Sequence, residues 1–131
     1  MTEQLAAPPS REPELRVVPM PSDTNPFGDI FGGWVMSQVD IAGGIVAMRR
    51  ARGRVVTVAV NAFSFKQPIS VGDVVSFYVD IVKVGSTSIT VDVLVIAERH
   101  PEHPVTVKVT EATLTYVAVD SHGNKRELPA G

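Results

Sequence analysis

The chain contains no cysteine. That excludes a disulfide framework, a cysteine nucleophile and thiolate metal sites, and it fits a reducing compartment. Charge of one sign is scarce too: 12 Lys and Arg stand against 14 Asp and Glu, a formal net charge of −2 over 131 residues. A global basic field for nucleic acid is therefore missing. No apolar run approaches the ~18 residues that a membrane span requires, so no membrane partner is expected. Residues 1–14 carry Pro8, Pro9, Pro13 and mixed charges, without the basic start and apolar stretch of a targeting segment. They read as a disordered tail ahead of one domain over residues 15–131, and the cytoplasm is the default location. The histidines, His100, His103 and His122, all come late, in polar, turn-like sequence. His100-Pro101-Glu102-His103-Pro104 has the makings of a metal clip, but its two prolines make it a stiff loop, and no metal site is expected.

What is present is a strong pattern of elements. Leu15 to Met20 alternates weakly and predicts a short strand. Pro21 to Gly28 is turn-rich. Gly32-Gly33 then opens a helix that runs to about Arg52, with Arg49, Arg50 and Arg52 in its last turn and Gly53 as the expected stop. Everything after it reads as strand: residues 54–65, 74–84, 86–98 and 105–119, broken at Pro68, Gly72-Asp73, Gly85 and the Pro101–Pro104 loop. In the last strand Val105, Val107 and Val109 are apolar at odd positions. Ala112, Leu114, Tyr116 and Ala118 are apolar at even ones. A one-residue slip of that kind predicts a bulge or a twist.

Asp40 is the anomaly. The predicted helix is apolar on nearly every side (Trp34, Val35, Met36, Val39, Ile41, Ala42, Ile45, Val46), which predicts burial. A carboxylate in its middle is costly unless it is paired, solvated or catalytic. Gly43-Gly44 follows at once, unfavourable inside a helix and permissive of close approach by a strand, a ligand or a second subunit.

The segment Met20-Pro21-Ser22-Asp23-Thr24-Asn25, continuing through Gly28-Asp29-Ile30-Phe31-Gly32-Gly33-Trp34 and Met36-Ser37-Gln38 to Asp40, resembles the bacterial YciA-type acyl-CoA thioesterases. It is also similar to the mammalian cytosolic acyl-CoA hydrolases. The resemblance continues through Gly53–Val58, Pro68–Val75, Lys83–Ser88, Thr110-Glu111-Ala112 and Tyr116–Asp120, and covers about residues 15–129. It implies an α+β hotdog fold, a long curved antiparallel β-sheet wrapped around one central α-helix. It further implies homodimers with shared active sites, assembled into hexamers as trimers of dimers.

The activity implied is hydrolysis of an acyl-CoA to a carboxylic acid and free CoA. No cofactor is implied beyond CoA itself, which is part of substrate and product. Asp40 is the expected general base or nucleophile. Asn25 is expected beside the carboxylate of the other subunit. The N–H groups of Gly32 and Gly33 would form an oxyanion hole at the helix start. Arg54, Lys66, Lys83 and Lys108 are candidate cations for the CoA phosphates, with Gly85, Ser86, Thr87 and Ser88 as small donors. Met36, Phe63 and Phe65 are candidates for an acyl channel. A hotdog hydratase would need an aspartate–histidine pair, and no histidine precedes residue 100. The alternative of another class is a non-catalytic acyl-CoA binding or sensing module.

Overall fold

The computed structural model describes residues 4–5 and 7–131. Its elements are β1 (Gln4–Leu5), β2 (Leu15–Val17), α1 (Gly32–Ala51), β3 (Val55–Phe65), β4 (Val74–Val84), β5 (Ser88–Arg99) and β6 (Val105–Ala118). All pairings are antiparallel, in the order β2-β4-β5-β6-β3, and β1 extends the β3 side of β6 opposite Thr106 and Val107. Among the described residues no helix is long and apolar enough to cross a membrane.

The core lies between α1 and one face of the sheet. Val35, Val39, Ala42 and Ala47 of the helix meet Val75, Phe77, Val91, Val93, Leu114 and Tyr116 of the strands. The slip in β6 is a bulge: Val95 faces Thr110 and Ile96 faces Lys108, which leaves Val109 as the extra residue. That one insertion turns Val107 and Val109, and then Ala112, Leu114 and Tyr116, all into the core. The strand keeps one buried face across its change of phase.

Three expectations change. The helix is not buried all round. Its buried residues are Val35, Val39, Ala42, Gly43, Ala47 and Ala51. Met36, Ile41 and Met48 stay 44%, 50% and 48% exposed, because one curved sheet covers only one side. The left-handed residue that ends α1 is Arg52, φ 53°, rather than Gly53. The Gly53 N–H caps the Met48 carbonyl at 3.3 Å, and a Cβ on Gly53 would stand 2.7 Å from a guanidinium nitrogen of Arg126. Glycine there leaves room for the Arg126 guanidinium.

The third change concerns the segment expected as a tail. Residues 1–3 and 6 lie outside the described residues. Arg11 binds both carboxylate oxygens of Asp80 at 2.9 Å and lies 5.6 Å from the Tyr78 ring centre. The Glu14 N–H bonds the Phe77 carbonyl at 2.9 Å. One is a side-chain pair and the other a backbone bond, and β1 pairs with β6 from the same segment; composition registers none of these pairings.

Candidate active site

Asp40 lies on the part of α1 that faces β3, and it is exposed in the single chain rather than buried. Its cost in an apolar helix is met by solvent and by two hydroxyls. Thr57 Oγ1, on β3, donates to Asp40 Oδ1 at 2.7 Å. Tyr116 Oη, on β6, reaches the same oxygen at 3.0 Å and the Asp40 backbone carbonyl at 2.9 Å. Neither donor is assigned a role by the sequence pattern. Thr57 reads as one more β-branched strand residue and Tyr116 as one more core position. The only available signal is that both fall in segments that carry the resemblance.

Tyr116 is buried to 1% exposure. Burial first, and then the negative charge of Asp40, push its phenol above the ordinary tyrosine range, so it stays a neutral donor. Its approach depends on Gly43. A Cβ there would stand 2.6 Å from Tyr116 Oη and 3.2 Å from both the Tyr116 ring and Val91. The helix glycine admits a strand residue.

A cleft of about 260 Å³ opens at Asp40, lined by Gly33, Met36, Ser37, Thr57, Val60, Phe63 and Leu114. It therefore combines a carboxylate, hydroxyls, apolar walls and the start of a helix. Neither Gly32 nor Gly33 has a backbone acceptor for its N–H among the described residues; the first i→i−4 bond of the helix runs from Val35 to Phe31, 3.4 Å. A Cβ on Gly33 would meet nothing within 4 Å, whereas one on Gly32 would touch the Phe65 ring at 3.4 Å. Of the two, Gly33 faces open space in the Asp40 cleft.

Asn25 lies elsewhere. Its Oδ1 accepts from the Phe27 N–H at 2.9 Å and the Asp29 N–H at 3.1 Å, closing an Asx turn before the helix. It lines a second cleft, about 320 Å³, with Asp29, Gly32, Phe65, Lys66 and Gln67. Within one chain, then, Asp40 and Gly33 share one cleft, and Asn25, Gly32 and Lys66 share another.

The candidate cations divide in the same manner. Lys108 is ion-paired with Glu111 and sits where β6 bulges, next to the end of β3 that carries Lys66. At the other end of β6, the Thr87 carbonyl accepts from Ala118, and the Ser86 carbonyl accepts from Leu128, both at 2.9 Å. The turn is closed by the Gly85 N–H on the Ser88 carbonyl at 2.8 Å, and Lys83 is exposed just before it. Arg54 precedes β3 at that same end, close enough to Asp120 to help hold its carboxyl below the usual range, an effect due chiefly to the Asn124 N–H. So Lys83, Gly85, Ser86, Thr87, Ser88 and Arg54 form one group, and Lys66 and Lys108 another. Among the described residues no group of three His, Cys, Asp or Glu side chains is placed to share a metal ion.

One helix wrapped by a single antiparallel sheet, with a carboxylate facing a cleft at the helix start, defines a hotdog-fold protein. The chain matches the Thioesterase superfamily over residues 27–102. It is 50% identical over 123 residues to the acyl-CoA thioester hydrolase YciA of Salmonella typhimurium, covering 92% of each chain. A hexameric hotdog fold thioesterase of Campylobacter jejuni superposes with a TM-score of 0.87 at 45% identity, covering 91% of both chains. The aspartate-to-alanine mutant of a hexameric broad-specificity acyl-coenzyme A thioesterase superposes with a TM-score of 0.86 at 49% identity, covering 89% of this chain and 86% of the other. The chain belongs to the thioesterase superfamily and, within it, to the YciA-type acyl-CoA thioester hydrolases. A more distant acyl-CoA hydrolase, from Staphylococcus aureus, is 27% identical over 88% of this chain and 70% of its own, with TM-scores of 0.79 and 0.78 for its aspartate-to-alanine and threonine-to-alanine mutants. The two substituted positions in that enzyme are 17 residues apart, the separation of Asp40 and Thr57 here.

Proposed function

We propose that this chain hydrolyses acyl-CoA thioesters, with Asp40 as the reacting carboxylate. The observation that carries the reading is the cleft in which Asp40, held by Thr57, stands near the unbonded N–H of Gly33. Thioester hydrolysis needs an activated nucleophile and a donor for the carbonyl oxygen as it gains charge. Asp40 supplies the first, either by taking a proton from water or by attacking the carbonyl itself to form an anhydride that water then hydrolyses. The helix start supplies the second. The acyl group lies against Met36, Val60, Phe63 and Leu114, and the CoA thiolate leaves. The groups this reading calls on are side chains and backbone N–H groups of the protein, water and the substrate, and none of its steps calls for a metal or cofactor.

The site is completed by a second copy. Asn25, too far along its own loop to share the Asp40 cleft, serves the carboxylate of a partner subunit. Two features support a dimer joined along β3. That strand is paired on one side only, with β6, among the described residues, and it exposes Val58 and Val60. A long apolar edge strand is a template for pairing with another chain. Further assembly is to a trimer of dimers, a reading supported by relatives that are hexameric. The CoA phosphates are read by Arg54 and the Lys83–Ser88 turn at one end of β6, or by Lys66 and Lys108 at the other.

The test is free-thiol release from a panel of short, branched, aromatic and long acyl-CoAs, for the wild type and Asp40→Asn. Turnover that the substitution abolishes, with assembly intact, is the expected result. A wild type that binds these esters without releasing thiol would make the chain a binding or sensing module instead.

A further inference from the structure

Carboxylates turn easily about their last bond, whose rotation is broad rather than three-fold. A reacting carboxylate on an exposed helix face gains from being held. Two hydroxyls do so here, and both choose the same atom. Thr57 Oγ1 and Tyr116 Oη bond Oδ1 at 2.7 and 3.0 Å, and neither takes Oδ2. Tyr116 also bonds the carbonyl oxygen of Asp40 at 2.9 Å. With a single proton, the phenol shares its donation between the carbonyl and Oδ1, and so spans the backbone and the side chain of Asp40.

The phenol itself is buried. It is 1% exposed in the core, and its ring and hydroxyl pack on Gly43. Of the atoms that a Cβ on Gly43 would meet, the hydroxyl is nearest, at 2.6 Å, with the ring carbon at 3.2 Å. The opening in the helix thus accommodates the hydroxyl more than the ring. Phenylalanine would remove the tightest of these contacts and leave the 3.2 Å approaches of the ring and Val91. The glycine three positions after Asp40 is thus needed most by the one polar atom of the side chain.

We infer that Tyr116 is a positioning residue for Asp40: together with Thr57 it pins Oδ1, so that Oδ2 is the oxygen presented to the reacting water or carbonyl, and Gly43 is the space that lets it do so. This rests on the reading of Asp40 as the reacting carboxylate. Tyr116 does not touch substrate; it acts through Asp40. Its loss therefore lowers turnover while leaving substrate affinity in place, since none of the apolar cleft walls or candidate CoA contacts is altered.

The experiment is steady-state kinetics of the assembled protein on one acyl-CoA, comparing wild type, Tyr116→Phe, Gly43→Ala, the double variant and Asp40→Asn, with thermal midpoint and oligomeric state measured alongside. Tyr116→Phe is expected to lower kcat about tenfold and leave KM within about twofold. Gly43→Ala, which keeps the hydroxyl but displaces it, is expected to lower kcat in the same way. In the Tyr116→Phe background Gly43→Ala should add little, because both act on one contact. If Tyr116→Phe does not assemble, the kcat of Gly43→Ala decides. Tyr116→Phe with wild-type kcat, beside an inactive Asp40→Asn, would overturn the inference alone. An Asp40→Asn variant with wild-type turnover would instead overturn the reading on which it rests.

Discussion

Asn25 lines one cleft of the chain and Asp40 another, and the adjacent glycines at the start of α1 are divided between them, Gly32 to the first and Gly33 to the second. On the proposed reading, a reaction that uses both side chains draws them from two chains. Asn25→Ala and Asp40→Asn should each be nearly inactive alone. Mixing them under conditions that exchange subunits should restore about a quarter of wild-type turnover, because random pairing makes half the dimers mixed and each mixed dimer keeps one intact site. Thiol release before and after exchange measures this. A mixture no more active than its parts would place both residues in the service of one chain's site, or Asn25 outside it.

Strands β2 to β6 and their order along the chain were legible because their signals are local and repeat, whereas β1 fell in the segment expected as a tail. Alternation, Gly and Pro breaks and the valine phase slip each mark an element without reference to the others, and the bulge at Val109 lies within the predicted slip. Asp40 was legible for the opposite reason: it breaks the pattern around it. Its partners were not. Thr57 is 17 residues away and Tyr116 is 76 residues away in the chain, and both obey the local rules of a strand. Nothing in a residue's own neighbourhood reveals that a sheet will carry its hydroxyl to a helix. The expected burial of α1 failed on the same ground. An apolar helix surface does not say how many of its sides one sheet will cover.

Arg99 and Asp73 are tied to the Asn25 loop through a short chain of bonds. The guanidinium reaches Asp73 Oδ2 at 2.9 Å and the Pro68 carbonyl at 3.2 Å, while Asp73 Oδ2 also accepts from the Ser70 N–H at 2.9 Å. The turn so closed presents the Ile69 carbonyl to the Ile30 N–H at 3.1 Å, at the end of the loop that holds Asn25. With the Asp73 side chain only 4% exposed, Arg99→Met would strand a buried carboxylate, at a cost of about 3 kcal/mol. Asp73→Asn in that background should recover part of the loss by removing the charge. Denaturation midpoints at one fixed protomer concentration would show both effects. Equal stability in Arg99→Met and wild type would mean that the pair contributes nothing.

Both α1 and β3 expose apolar side chains. Met48 is 48% exposed and lies two turns after Asp40; Val58 is 54% exposed on the strand beside it. Side chains of this size stabilise by about 1.5–3 kcal/mol each when fully buried, and a folded single chain leaves them in water. Neither takes part in the core, so charging them should spare the fold. Met48→Glu and Val58→Glu should therefore keep the far-ultraviolet circular dichroism of the wild type. In the assembly each charge would be desolvated without a partner, so dissociation should follow at micromolar protein. Sedimentation would read the lower mass, and thiol release should fall with it, since Asp40 would lose the second chain. Activity and mass should move together as concentration is raised, with turnover recovering where the larger species returns. A variant that stays assembled with glutamate at either position would show that this face does not join the subunits. One that is fully active as a single chain would show that the site needs no second copy.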